Sequence, residues 1–282
     1  MKQAAAGAAA PAAPPWPVLQ APAHWRSVDF ISDLHLQASQ PATFDVWQDY
    51  MQSTSANAVF ILGDLFDVWV GDDFVQSRHP GQGFAPDEAA DFEARCAQVL
   101  QHAAKRCDIF FMHGNRDFLI GQGFAKYCGL TLLDDPTVLE FGGQRWLLSH
   151  GDALCLDDSD YMQFRAKVRN ANWQHDFLAK PLTERRTIAA DLRRQSEARK
   201  QGSIVYADID GKAARNWLDQ AQATALIHGH THQPADHPLG NGLQRHVLSD
   251  WDATANPARV QVLRLVVAGA KTQHVSIERL PL

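Results

Sequence analysis

The chain has 282 residues, a formal net charge of −6, 45 % hydrophobic and 21 % charged residues, the balance of a globular protein able to bury a core. No apolar stretch reaches the roughly 18 residues that a membrane-spanning helix needs. Cys96, Cys107, Cys128 and Cys155 form no CxxC pair and no framework spacing, which argues against a disulfide-stapled secreted scaffold and suits reduced thiols in the cytoplasm.

In chain order, residues 1–24 are rich in Ala and Pro with a single lysine. Prolines interrupt the apolar core that a secretory signal would need, so this segment reads as a flexible tail. The run FISDLHL follows, ending in Asp33 and His35, then a helix over about 41–55. FILGDLFD carries Asp64, a helix is expected near 86–105, and FFMHGNRD carries Asn115. A short helix near 121–127 precedes strand, turn and strand through 131–149, closing on WLLSHGD with His150. Residues 157–201 form an Arg- and Lys-rich helical stretch that Pro181 breaks into at least two helices. LIHGHTH then supplies His230 and His232, and VQVLRLVVAG reads as a closing strand. Alternation of this kind predicts an α/β layered fold. Because the candidate ligands run from Asp33 to His232, residues 25–282 are expected to form one domain, with a helical insertion over about 157–208.

Five short apolar runs that each end in a metal-type ligand point to a shared site. Parallel strands buried on both faces read as continuous apolar runs, and ligands in open α/β sheets bind outside their carboxyl ends. The donors should therefore converge on one edge. Asp33 and His35, like His230 and His232, are two residues apart, a spacing that places both side chains on one face of an extended segment. Glycines at 63, 114, 151 and 229 allow sharp turns or close backbone approach. Imidazoles, carboxylates and one amide without a thiolate suit Mn, Fe or Zn better than Ca. Two ions about 3.5–4 Å apart would activate water and clamp a phosphoryl group. Asp64 is the expected bridge, and Asp67 the partner that orients a ligand.

The pattern D-x-H, G-D, G-N, H-G, G-H-x-H resembles the calcineurin-like metallophosphoesterase superfamily from residue 27 to about 255. That resemblance implies a four-layer αββα sandwich with the helical cap inserted before the last metal-ligand strand. It assigns Asp33, His35, Asp64 and His232 to one metal, and Asp64, Asn115, His150 and His230 to the other. Many members have His after the Asn as proton donor to the leaving group, whereas this chain has Arg116. An Arg cannot act as a general acid near pH 7, but it can grip phosphate oxygens bidentately. The leaving group should then need no proton, which points to pyrophosphate cleavage rather than to hydrolysis of an alkyl ester. His113 and His228 are the alternative acids.

GNRDF, HGDALCLDD, FRAKVRN with FLAKPL, and LIHGHTHQPADH resemble one branch, the UDP-2,3-diacylglucosamine pyrophosphohydrolase family of lipid A biosynthesis. This resemblance implies two Mn ions per chain and a peripheral enzyme on the cytoplasmic face of the inner membrane. In that family water attacks the α-phosphorus of the UDP-lipid, releasing UMP and 2,3-diacylglucosamine 1-phosphate. It also implies catalytic roles for Asn115, Arg116 and His230, and substrate contacts from Asn115, Arg116, Asp158, Ser196, Lys200 and His230. The stretch EARKQGSIVYA departs from the family pattern.

The basic, amphipathic insertion suits an anionic lipid surface; no stacking motif selects nucleic acid, and no obligate protein partner is expected. The residues alone leave two other readings open. One is a phosphoesterase of the same fold acting on another nucleotide or phosphodiester. The other is a non-catalytic scaffold.

Overall fold

The computed structural model describes residues 15–73, 88–202, 208–268 and 274–282; of residues 88–91 and 195–202 only the backbone is described. The apolar runs form strands β2 (Ser27–Ile31), β3 (Ala58–Leu62) and β4 (Asp108–Met112), joined by helices α1 (Pro41–Ser53) and α2 (Glu88–Ala103). Helix α3 (Gln122–Cys128) leads to β5 (Thr131–Leu133), β6 (Thr137–Phe141) and β7 (Gln144–Ser149), three strands where strand, turn and strand were expected. A helical insertion follows: α4 (Ser159–Val168), α5 (Ala171–Leu178) and α6 (Leu182–Gly202). Pro181 makes the expected break before α6. A second break falls at Arg169–Asn170, where the Asn170 side chain accepts the N–H groups of Asn172 and Trp173 and caps α5. Helix α7 (Gly211–Ala221), β8 (Ala225–His228), the hairpin β9 (Ala235–Gly240) and β10 (Leu243–Val247), and β11 (Gln261–Ala268) with β12 (His274–Pro281) complete the chain.

The strands make two six-stranded sheets. With β1 (Val18–Gln20) at one edge, the orders are β1-β6-β7-β8-β10-β9 and β12-β11-β2-β3-β4-β5. Strands β2, β3, β4 and β5 run parallel in one sheet, and β7 runs parallel to β8 in the other. Alternation along β2–β4 divides the core. Ile31, Val59, Ile61, Ile109 and Phe111 face Phe44 and Trp47 of α1, Leu100 of α2 and Phe124 of α3. Their neighbours Phe30, Phe60 and Phe110 face Leu139, Trp146, Leu148 and Ile227 of the second sheet. Phe60 stacks on Phe30 at 5.1 Å and on Phe110 at 4.7 Å, and each buried ring of this size contributes about 1.5–3 kcal/mol. On the far side Val138, Leu147 and Leu226 pack against Ala214, Leu218 and Ala221 of α7. The layers are helix, sheet, sheet, helix, the four-layer sandwich expected.

Two expectations are corrected. The donor-bearing strands do not share one edge of one sheet; three belong to one sheet and two to the other, because the sandwich brings two carboxyl edges together at a common rim. Nor is all of residues 1–24 a loose tail. Val18–Gln20 pairs with β6, and Trp16 packs against Trp217 with ring centroids 5.3 Å apart, so the apolar residues in this stretch cover a sheet edge that would otherwise stay open.

Candidate metal centre

Each donor sits in the turn immediately after its strand. Backbone bonds carry the sheet ladder past the strand ends: Asp33 N–H to Gly63 O at 3.1 Å, His35 N–H to Asp64 O at 3.0 Å and Gly229 N–H to His150 O at 3.0 Å. The sequence expectation of an extended D-x-H segment is corrected here. Asp33, His35, Asp64, His230 and His232 all have positive φ, between 47° and 67°. Left-handed backbone costs a non-glycine residue roughly 1–3 kcal/mol and persists only where surrounding contacts hold it. Repeated at alternate positions, it turns both side chains of each pair into the same space. Two glycines are required by close approach: a Cβ at Gly114 would collide with the Asp64 carboxylate, and one at Gly229 with Asp33.

The seven expected donors do come together. Asp33, His35 and His232 offer ligand atoms within 4.8 Å of one another, as do Asp33, Asp64 and His150. Asp64 Oδ2 is 3.9 Å from both His35 Nδ1 and His150 Nε2. Asn115 Oδ1 lies 3.0 Å from His150 Nε2 and 2.9 Å from His230 Nδ1. Nδ1–H of His150 donates to Leu62 O at 2.8 Å, which leaves Nε2 to face the site. Ser32 Oγ–H and the His230 N–H both donate to Asp33 Oδ2, at 2.6 and 2.8 Å, and lock the two sheets together.

Electrostatics match a cation-binding set. Burial, reinforced by neighbouring cationic groups, pushes His35 and His230 down to about 3 despite Asp33, and keeps both imidazoles neutral. Burial also lowers His150, but Asp64, Asp33 and Asp152 outweigh it and bring it up to about 9. Burial raises Asp64, with His150 opposing. The carboxylates outweigh burial to raise both His150 and His232, so the site holds a negative potential that an external cation would satisfy. His35 Nδ1 is buried without a hydrogen-bond partner among the described residues, Asp33 Oδ1 faces His232 Nε2 at 3.3 Å, and His35 Nε2 and His232 Nε2 face each other at 3.3 Å. An orphaned donor atom within a set of this chemistry fits divalent metal.

The supporting groups differ from those expected. Asp67 does not orient a donor histidine; its carboxylate faces Arg116 Nη1 at 4.0 Å and pairs with Arg193. Asp117 takes the supporting part instead. Its oxygens accept the N–H groups of Asp64, Leu65, Phe66 and Gly114 at 2.7–3.3 Å and join two donor-bearing turns. Asp250, with Oδ2 3.8 Å from His232 Nδ1, was also missed, since it lies beyond the repeated motifs. Asp117 could have been suspected from its place next to Arg116.

Asp158 accepts the Tyr161 N–H at 2.9 Å and caps α4. Ser196 and Lys200 lie on α6, but their side chains are outside the described residues. His113 bonds Ile120 O at 2.6 Å and His228 bonds Gly229 O at 2.8 Å, and burial lowers the pKa of both. Neutral at pH 7, neither is a good proton donor. Between them α4–α6 form a half-open cavity of about 290 Å³ lined by Phe164, Val168, Trp173, Phe177, Ile188 and Leu192 together with Lys167, Asp176 and Lys180. No helix among the described residues is long and apolar enough to cross a membrane.

Residues 26–234 match the calcineurin-like phosphoesterase family. The chain is 45 % identical over 229 residues to the UDP-2,3-diacylglucosamine hydrolase of Chromobacterium violaceum, an alignment covering 80 % of this chain and 90 % of that protein. It is 42 % identical over 230 residues to the protein of the same name from Cellvibrio japonicus, covering 79 % and 90 %. With the one from Bordetella pertussis the identity is 41 % over 235 residues, covering 81 % and 87 %. A donor set built for divalent metal at the rim of a four-layer sandwich, and relatives of this closeness over most of its length, place the chain in the calcineurin-like phosphoesterase family, as a hydrolase of the group to which these three proteins belong.

Proposed function

We propose that this protein hydrolyses the pyrophosphate bond of UDP-2,3-diacylglucosamine, giving UMP and 2,3-diacylglucosamine 1-phosphate. In this reading Asp33, His35, Asp64 and His232 hold one Mn ion, and Asp64, Asn115, His150 and His230 the other. When bound, the pair supplies a water of lowered pKa and positive charge beside the phosphoryl oxygens. Arg116 grips the oxygens on which charge develops. The water oxygen ends on the α-phosphorus, and the P–O bond to the sugar phosphate breaks with the electron pair on the departing phosphate. That phosphate leaves without a proton, which agrees with a guanidinium where an acid would otherwise stand and with His113 and His228 both turned to backbone carbonyls.

The observation that carries the reading is the convergence of seven donors beside Arg116, held 4.0 Å from Asp67, in a chain whose named relatives are UDP-2,3-diacylglucosamine hydrolases. The apolar cavity flanked by Lys167 and Lys180 supports an acylated, anionic substrate. The purified protein with Mn should release UMP from UDP-2,3-diacylglucosamine, lose this on EDTA treatment, and leave UDP-sugars without acyl chains largely intact. Metal-dependent turnover of a chromogenic phosphodiester without UMP release would reassign the substrate.

The same reading puts the insertion against the anionic cytoplasmic surface of the inner membrane. Leu156 and Leu178 are 47 % and 41 % exposed near the cationic helices, and cationic helices with exposed apolar residues suit such an interface. The protein should co-sediment with anionic vesicles at low salt and be released at high salt. Absence of sedimentation at low salt would overturn the membrane assignment.

A further inference from the structure

The first helix of the insertion is fastened to the core by two buried carboxylates, Asp152 and Asp135, that the proposed chemistry does not use. Asp152 is fully buried in the turn after β7. Its Oδ2 accepts the Tyr161 hydroxyl at 2.5 Å and Arg165 Nε at 2.9 Å, with Arg169 Nη2 4.0 Å away. Arg165 Nη2 also faces Asp135 Oδ2 at 3.6 Å. Asp135 Oδ1 accepts the Ser149 hydroxyl at 2.7 Å, and Ser149 Oγ accepts the Gly151 N–H at 3.0 Å. Arg169 Nη2 donates to Gly114 O at 2.8 Å. The Tyr161 ring lies over His230, with centroids 5.9 Å apart and planes 29° from parallel.

These contacts end on three places. Gly114 precedes Asn115, Ser149 and Gly151 flank His150, and Tyr161 covers His230. Among the described residues, none of these side-chain bonds is made to His35, His232 or Asp33; Asp33 meets this half of the site through the backbone N–H of His230 at 2.8 Å. A buried ion-pair network adds little net stability over apolar packing of the same volume. It does fix geometry, because each charge must keep its partners, and groups that orient metal donors typically change affinity or activity 10–100-fold when removed.

We infer that Asp152, Arg165 and Arg169 are positioning residues through which the docking of α4 sets the geometry of the subsite formed by Asn115, His150 and His230, leaving the subsite of Asp33, His35 and His232 unaffected. The inference rests on the two-ion reading above. It extends the role of the insertion from covering the site to shaping one half of it.

The test is Mn titration of the metal-free full-length protein by calorimetry, with metal content and paramagnetic resonance, for wild type, Asp152→Asn and Arg169→Gln. Wild type should bind two ions. In each variant one ion should keep wild-type affinity while the other weakens about 10–100-fold, and the signal of a spin-coupled pair should give way to that of an isolated ion. Two ions at wild-type affinity with only a lowered Tm would make the network a structural brace and overturn the inference. Equal weakening of both ions would overturn it as well. A wild type that binds a single ion would remove the two-ion reading itself, a result visible before any variant is measured. Should Asp152→Asn fail to fold, Arg169→Gln decides, since that side chain is 21 % exposed and its substitution removes the bond to Gly114 O without emptying a buried site.

Discussion

Asp64→Ala should abolish turnover and empty both metal positions. Asp64 is 1 % exposed, and its Oδ2 lies 3.9 Å from a histidine of each half of the centre. Removing a single stabilising group from an active site costs about 10²–10³ in rate. Removing the carboxylate proposed to bridge both ions should exceed this, because the ions would be lost with it. Metal content after dialysis against Mn separates this loss from misfolding, and thermal melts give a second reading. Ligands that bind only the folded state stabilise it by about 2.7 kcal/mol at one hundred times their Kd, so Mn should raise the Tm of wild type and leave that of Asp64→Ala unchanged. Retention of one ion would transfer the bridging role to Asp33, which also belongs to both groups of close donors.

Arg116→Ala should lower kcat by about 10²–10³, equivalent to roughly 3–4 kcal/mol, while both ions stay bound. Its guanidinium stands outside the donor set and is held by Asp67 at 4.0 Å. Asp67 keeps Arg193 as a partner when Arg116 is removed, so the substitution does not strand a buried charge. Arg116→Lys should recover only part of the rate, since an ammonium restores the charge but not the two parallel hydrogen bonds. If Arg116→Ala lost metal instead, the clamp assignment would fail, because the backbone N–H of residue 116 that donates to Asp64 Oδ1 at 2.8 Å survives the substitution and only the guanidinium is removed.

The cost of the centre is visible in its backbone. Five of the seven donors hold left-handed conformations, each opposed by roughly 1–3 kcal/mol. The ladder bonds of the D-x-H and GD turns and the four N–H groups gathered by Asp117 hold the turns of Asp33, His35 and Asp64, and the bond from the His230 N–H to Asp33 holds that of His230. Pre-set donors bind metal without first paying to order the turns.

Read by itself, the sequence determined the class of fold and picked out the candidate donors that the fold brings together. Both depend on local rules: a buried strand is a short apolar run, and the residue after it faces the site. The same locality made Arg116 legible, because its side-chain chemistry excludes proton donation wherever it sits. Only the tertiary structure decided that two sheets share the donors, that alternate donor residues take left-handed backbone, and that part of the N-terminal segment closes an edge strand. It also decided which aspartate supports which turn. Asp67 and Asp117 each lie within three residues of an expected donor or clamp residue, so spacing along the chain cannot rank them; the crossing of two turns gives Asp117 four backbone donors and leaves Asp67 to the arginines. The contacts of α4 with Asp152 and Asp135 were illegible for the same reason: burial and pairing are properties of packed elements, and Asp135 and Gly114 reach this helix from distant parts of the chain.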